Sequence, residues 1–494
     1  MIVNQLPILQ IIIPLIAAPF CLLFRNPNVC WFFSLIIVWI CLIISIFILL
    51  HVDERGVIIY EIGGWAAPWG IEYRIDRLNS FVLLIVSLIS VIVLSFSKLN
   101  IEAEIPRSRA YLFYSMILLC IAGLLGIAIT GDAFNLFVFL EISSLSSYVL
   151  ISMGPDPRSL TAAYRYLIMG TLGATFYIIG VGLMYMMTGT LNITDLAGII
   201  PSISDSRTIQ AALAFLTVGL CLKIALFPLH MWLPNAYAFA PSPVTIFLAA
   251  TATKVSVYAL IRVVFTIFGG VALFETLVVR EMLLALAVIG MVAGSCVAIY
   301  QQNVKRLLAY SSVAQVGYII AGVALNNVTS VSAGIIHLFN HALIKASLFM
   351  VMAIIMYKVG SVRISDLSGL AKRMPVTMGA FVASGLALIG VPLSAGFISK
   401  WYLIKGAIEE GWWPLSILVG LSSLLAVIYI WRVVEVAYFE EPPEGKNVID
   451  EAPVSMLIPV ILFVFGSYYF GINATFTADI AFDAARALLV GPNQ

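Results

Sequence analysis

Apolar runs of about twenty residues, separated by short polar breaks, follow one another along the whole chain. A helix needs about 20 mainly apolar residues to cross the hydrocarbon core of a bilayer. On that measure the pattern predicts fourteen spans: 5–24, 30–51, 79–98, 111–130, 133–153, 161–188, 208–238, 243–268, 281–300, 305–325, 331–358, 375–405, 413–438 and 454–471. The tail, 472–494, is weakly amphipathic, and its apolar run is too short to span. Residues 53–77 differ from everything around them. Short alternation about Gly63-Gly64 and Pro68-Trp69 predicts a β-hairpin lid between spans two and three. A membrane β-barrel would show short alternating segments throughout. The expected fold class is therefore an all-α polytopic membrane protein.

Spans seven and twelve are too long for one crossing. Each covers 31 residues, about 46 Å of helix against a hydrocarbon core of about 30 Å. Each carries an internal proline, Pro228 and Pro392. A mid-helix proline frees the carbonyl four residues back, here that of Ile224 and of Leu388. Lipid cannot satisfy such groups, so both breaks must be buried in protein or face water. Broken helices at matching positions in two halves point to a transport site near the midplane. The two broken spans lie five apart. Five is odd, so the second unit starts from the other side of the membrane, and the expected repeat is inverted. This divides the chain into 1–110 (helices one to three with the hairpin), a first five-helix repeat at 111–268, a second at 281–438, and a last helix with its tail at 454–494.

Composition narrows the function. Of 494 residues, 62% are hydrophobic and 10% charged, where a soluble domain carries about 25% charged residues. A soluble enzyme, a nucleic-acid binder and a disordered chain are excluded. Lys and Arg number 26 against 25 acidic residues, so no global field attracts an anionic partner. Their placement is uneven. Loops after odd-numbered spans hold fourteen, Lys446 among them, and loops after even-numbered spans, with the tail, hold eight. By the positive-inside tendency the odd loops face the cytoplasm of a cell membrane and both termini lie outside. No Lys or Arg precedes Arg25, so the first run reads as a retained helix rather than a cleaved signal. The six cysteines lie singly in apolar runs without ligand spacing, which predicts no disulfide framework, no metal site and no cofactor.

Ionisable residues inside spans are costly and functional by default. Glu141 lies near the centre of span five, Lys223 in span seven, Lys254 in span eight, and Lys400 in span twelve beyond Pro392. His337, His341 and Lys345 recur at i, i+4 and i+8 on one face of span eleven. Each has a plainer reading. Glu141 and Lys223 would form a static ion pair, the histidines would be satisfied core residues or haem ligands, and Lys345 would pack helices by bonding to carbonyls. The series as a whole points to proton relay. Lysine repels a bound cation, whereas burial and a neighbouring carboxylate act in opposite senses on its protonation.

At these residues the chain resembles a known family. GDAFNLFVFLEISSLSSYVLISMG, GLCLKIALFPLHMWLPNAYAFAPSPVTIFLAATATKVSVYALIR, KRLLAYSSVAQVGYI, IIHLFNHALIKASLFM and IGVPLSAGFISKWYL resemble signature segments of the antiporter-like subunits of respiratory complex I and of Mrp-type multisubunit cation/proton antiporters. The likeness runs from about span three to span fourteen. It implies a 14-helix fold with two inverted five-helix repeats and a proton path along the membrane midplane. EIGGWAAPWGIEYRIDRLNSFVLL, SGLAKRMPVTM and EAPVSMLIPV resemble the D-type subunits of Mrp antiporters. One complex I homologue carries glutamate where this chain has Lys400. By the resemblance, Glu141 and Lys223 take the place of the family's ion pair, Lys254 and the His337/His341/Lys345 face that of its central relay, and Lys400 that of its terminal lysine. The resemblance implies a proton-conducting subunit of a sodium/proton antiporter. Its partners would be the other subunits, membrane lipid, protons and a monovalent cation, with no nucleic acid. The alternative is a proton-pumping membrane subunit of a redox-driven complex, of the NADH:quinone oxidoreductase or membrane hydrogenase type.

Overall fold

A computed structural model describes residues 5–269, 278–441 and 450–490. Lys446 and the last four residues of the predicted tail lie outside them. Thirteen of the described helices are long and apolar enough to cross a membrane. The remaining crossing is span twelve, which is split into Pro375–Ile389 and Ala395–Glu409, each 15 residues long. Span seven is Arg207–Ile224 followed by Leu233–Phe239. Span eight is also interrupted, at Thr251, between Ser242–Ala250 and Ala252–Ile261, and it ends in a π-helical turn at Arg262–Ile267. No proline marks that third break, and the sequence pattern does not predict it.

The helix starts are set locally. Asn26, Asp76, Asp132, Asn303 and Asn327 each accept a hydrogen bond from a backbone amide of the turn they begin, satisfying donors that lipid would leave bare. The predicted hairpin is present: β1 (Ile58–Glu61) pairs antiparallel with β2 (Glu72–Ile75), Ile58 opposite Ile75 and Glu61 opposite Glu72. The amide of Gly131 donates to the Glu72 carbonyl at 2.9 Å, which docks the hairpin on the end of span four. The side of the molecule bearing it is the hairpin face.

Spans four, eight, ten and eleven fill the interior, with Phe247, Tyr258 and Phe349 fully buried. Spans one, six, thirteen and fourteen turn apolar side chains such as Ile16, Leu160, Leu424 and Phe465 outward, as a lipid-facing shell should. Spans six and seven approach through Gly173 and Gly219. A β-carbon on Gly219 would lie 2.6 Å from the Gly173 carbonyl, so only the smallest side chain permits this contact.

The two halves share a backbone device. After span four, Ala133 N donates to Leu191 O at 2.8 Å and Ile193 N to Gly131 O at 2.9 Å. Five spans later, Val304 N donates to Val362 O and Ile364 N to Gln302 O, both at 2.9 Å. The first crossed bridge lies on the hairpin face and the second, an odd number of crossings on, lies on the opposite face. The tail forms a helix, Thr475–Val490, seated on the hairpin face. Phe476 meets Phe81, Phe482 meets Tyr402, and Ser332 donates to the Ala481 carbonyl at 3.3 Å.

Candidate functional site

Both predicted broken spans are interrupted where the sequence places the prolines, but the helices stop earlier. Arg207–Ile224 ends at Ala225 with φ +60°, and Pro375–Ile389 ends at Gly390 with φ +89°. A left-handed residue at that position is a common helix terminator. Pro228 and Pro392 follow it and prevent the helix from resuming. In span seven, Trp232 caps the break, its indole nitrogen donating to Leu222 O at 3.0 Å while its ring stacks on Tyr166 at 3.8 Å. In span twelve the freed Leu388 carbonyl is taken by Lys400.

Lys400 follows Pro392 by eight residues, which from sequence alone places it well beyond the break. Its side chain reaches back. The ammonium donates to Leu388 O at 3.1 Å, to Ile389 O at 2.8 Å and to the Ser423 hydroxyl at 2.9 Å, and lies 4.7 Å from the ring centre of Tyr318. It therefore sits at the C-terminal end of the half-helix Pro375–Ile389, where the helix dipole favours a cation. Gly390 makes room for it, since a β-carbon there would lie 3.0 Å from Lys400 Cδ.

Lys223 is 3.1 Å from a carboxylate oxygen of Glu141 and 2.7 Å from the Ser144 hydroxyl. The lysine is buried, whereas the Glu141 side chain is 22% exposed. Lys254 donates to the Ala249 carbonyl of the preceding half-helix of its own span, across the break at Thr251. Lys345 is fully buried and donates to Leu308 O at 2.7 Å and to the Ser311 hydroxyl. The carbonyl bond foreseen for a helix-packing lysine is thus present at Lys345, and Lys254 and Lys400 bond carbonyls too. Of Lys223, Lys254, Lys345 and Lys400, only Lys223 has a carboxylate partner among the described residues.

His337 and His341 stack with ring centres 5.7 Å apart. His337 has both nitrogens occupied, by Ser399 at 2.7 Å and Gln315 at 2.9 Å. His341 is fully buried and neither ring nitrogen has a protein partner. A buried imidazole in that state calls for water. Tyr318, whose ring centre is 5.8 Å from that of His337 and 4.7 Å from the Lys400 ammonium, joins Lys400 to the stacked histidines, and Lys345 follows His341 by one turn of span eleven, so these residues form one central cluster. Glu141 and Lys223 stand apart. No hydrogen bond or ion pair among the described residues joins Lys223 to Lys254. Among the described residues no three His, Cys, Asp or Glu side chains lie close enough to hold a metal.

The hydroxyl and amide partners were missed from sequence. Ser144, Ser311, Ser399, Ser423 and Gln315 are small or neutral, and a search for ionisable groups passes over them. The signal was present as polar positions inside apolar runs, as in SSLSSY and AYSSVAQ.

Residues 130–426 match the family model described as NADH:quinone oxidoreductase/Mrp antiporter, transmembrane. The chain belongs to this family. It is similar to a protein from Bacillus subtilis named as the D subunit of a Na(+)/H(+) antiporter, 30% identical over 98% of this chain and 97% of the relative. It is also similar to a protein from Desulforudis audaxviator named as the N subunit of NADH-quinone oxidoreductase, 44% identical over 84% of each chain. Among solved structures, a chain of the membrane-bound sulfane sulfur reductase, an archaeal respiratory membrane complex, superposes with a TM-score of 0.90. That pair is 31% identical over 98% of both chains. These relatives are subunits of multisubunit membrane complexes. The polytopic helical fold read from the span pattern, and the antiporter-like form that the resemblance implied, are the fold found, and the likeness to the D-type subunits of Mrp antiporters extends over essentially the whole chain.

Proposed function

We propose that this chain conducts protons through its membrane interior, with Glu141, Lys223, Lys254, the His337/His341/Lys345 face and Lys400 as carriers and with the breaks at Pro228 and Pro392 admitting water between them. The observation that carries this reading is the pairing of each of three buried lysines with a serine hydroxyl: Lys223 with Ser144, Lys345 with Ser311, Lys400 with Ser423. A protonated lysine donates three hydrogen bonds; a neutral one donates two and accepts one. A hydroxyl can do either, so it reverses its bond as the lysine changes state, with no buried group left unsatisfied. The two five-helix units at 111–268 and 281–438 are the two half-channels. The repeated crossed bridge supports that division.

On this reading the chain acts within a complex in a cell membrane, and sodium is the cation exchanged for protons. The whole-length similarity to the D-type subunits of sodium/proton antiporters supports that host. A second host is favoured by a different observation: 44% identity to a subunit named for NADH:quinone oxidoreductase supports proton pumping driven by redox chemistry in a partner. Vesicles carrying the intact complex separate the two. A sodium gradient that moves protons, lost in Glu141→Ala with assembly intact, is the result expected of the antiporter. Proton movement only on addition of an electron donor assigns the redox host. An assembled Glu141→Ala complex that moves protons at the wild-type rate under either drive overturns the conduction reading itself.

A further inference from the structure

A second buried acid–lysine group lies on the face opposite the hairpin, away from the midplane. Three helix ends meet there. Span three, Arg77–Glu104, ends in Glu104; span eight begins at Ser242; span ten begins at Val304, one residue before Lys305. Lys305 is 4% exposed and donates to the Ser242 hydroxyl at 2.8 Å. The Ser242 amide donates to Glu104 Oε2 at 2.7 Å. The other carboxylate oxygen, Glu104 Oε1, is buried and has no hydrogen-bond partner. Glu104 as a residue is only partly buried, so the group runs from water-accessible to fully enclosed over one side chain.

A cap for the start of span eight would need only Glu104 Oε2. It would not need a buried lysine on a third helix, nor leave a buried acceptor open, which costs about 1–3 kcal/mol when unsatisfied. The position of Lys305 supplies the second clue. Leu308, one turn further into span ten, offers the carbonyl that accepts from Lys345, and Ser311 beyond it accepts from the same ammonium. Span ten thus carries both Lys305 and, one turn along its backbone, the carbonyl that holds Lys345.

We propose that Glu104, Ser242 and Lys305 form the proton intake that loads the central cluster from the face opposite the hairpin. Water that reaches the partly buried Glu104 side chain delivers a proton to its carboxylate, where the enclosed Oε1 is free to hold it. The carboxylic acid passes it, through a bridging water beside the Ser242 hydroxyl, to the neutral Lys305 amine, and Glu104 returns to the carboxylate. Lys305 then gives up a proton through a bridging water to the neutral Lys345 amine. No bond other than N–H and O–H forms or breaks, and each transfer leaves its donor ready to be reloaded. Loading at Lys345 places it first of the three span-eleven groups in this direction.

The inference rests on the conduction reading, and its test keeps the two apart. Glu104→Gln retains an oxygen to accept from the Ser242 amide but carries no proton; Lys305→Arg retains the charge but does not deprotonate. In vesicles with the intact complex and assembly checked, both variants should slow proton movement at least about a hundredfold, the lower end of what a positioned proton-transfer group contributes. Half or more of the wild-type rate in Glu104→Gln, beside an inactive Glu141→Ala measured in the same preparation, overturns the intake and leaves conduction standing. Wild-type rates in both Glu104→Gln and Glu141→Ala remove the conduction reading with it.

Discussion

Lys400 shows how much a single side chain decides. Its ammonium reaches back to the carbonyls eleven and twelve residues earlier and caps the half-helix that Gly390 ends, so the charge sits at the break and not toward the membrane surface. Three acceptors surround it, and only the Ser423 hydroxyl can reverse its bond. A carrier at this site must release its proton. Arginine keeps the charge and can still bond the two carbonyls, but it stays protonated. Lys400→Arg should therefore block proton movement almost as fully as Lys400→Ala. Measuring both in one vesicle assay decides the matter, because a fixed charge that merely caps the helix would be largely rescued by arginine. The seven ionisable residues proposed as carriers stand out in the sequence because charge contrasts with apolar runs. Their partners were not, since a backbone carbonyl belongs to every residue, and only the break in the helix selects Leu388 and Ile389 as free acceptors.

At the scale of the element, the breaks are built from two parts, of which the sequence displays one. Proline marks where a helix cannot continue; the left-handed Ala225 and Gly390 are where it stops. Leu393, with φ +72°, holds the second break open on its other side. Replacing Pro392 alone therefore leaves the turn in place. Gly390→Ala acts directly, because a β-carbon would strain a left-handed residue and press on Lys400 Cδ. We expect a loss of about 1 kcal/mol in stability together with a proton flux well below wild type, read by thermal unfolding and by the vesicle assay on one preparation; unchanged flux would detach the lysine's position from its role. The other end of this half-helix is held from outside the membrane. Glu451 accepts from the amides of Val376 at 2.8 Å and Thr377 at 3.3 Å and from the Thr377 hydroxyl. Partial burial pushes the Glu451 carboxyl up, but the Thr377 hydroxyl and the amides of Ala452, Val376 and Thr377 outweigh it and hold the group below its ordinary value of 4.5. A depressed carboxyl stabilises the fold above its unfolded value, and that contribution fades as pH falls through the folded one. Glu451→Ala should cost about 0.5–2 kcal/mol at neutral pH, as for a lost helix cap. Its deficit against wild type should narrow on acidification below pH 4.5. A deficit of constant size from neutral to acid pH would show that the carboxylate charge is not what holds the helix end. The break at Thr251 had no such legibility, for nothing in FLAATATKVS interrupts an apolar helical pattern.

Across the whole molecule, the helical architecture was largely readable, because lipid leaves few choices: apolar runs of fixed length must be helices, and two broken spans that lie five apart lead to the expectation of an inverted repeat. The crossed bridges at 131–133 with 191–193 and at 302–304 with 362–364 recur at the corresponding positions of the two proposed units. The tail was less readable, since its folding depends on a groove that only the assembled helices provide. One feature of the outer surface reaches beyond the chain. Along span five, Phe134, Leu145 and Val149 form an exposed apolar stripe, and Glu141, 22% exposed, lies within it. Against hydrocarbon an ionised group at that depth costs about 2.5–3.5 kcal/mol. The carboxylate that anchors Lys223 is thus a flaw in the lipid-facing coat of the lone chain. A neighbouring protein laid over span five would cover it with polar contacts or confined water, and the free energy recovered would count toward assembly. The same oxygen atoms that tie two helices together on the inside would then help hold two proteins together on the outside.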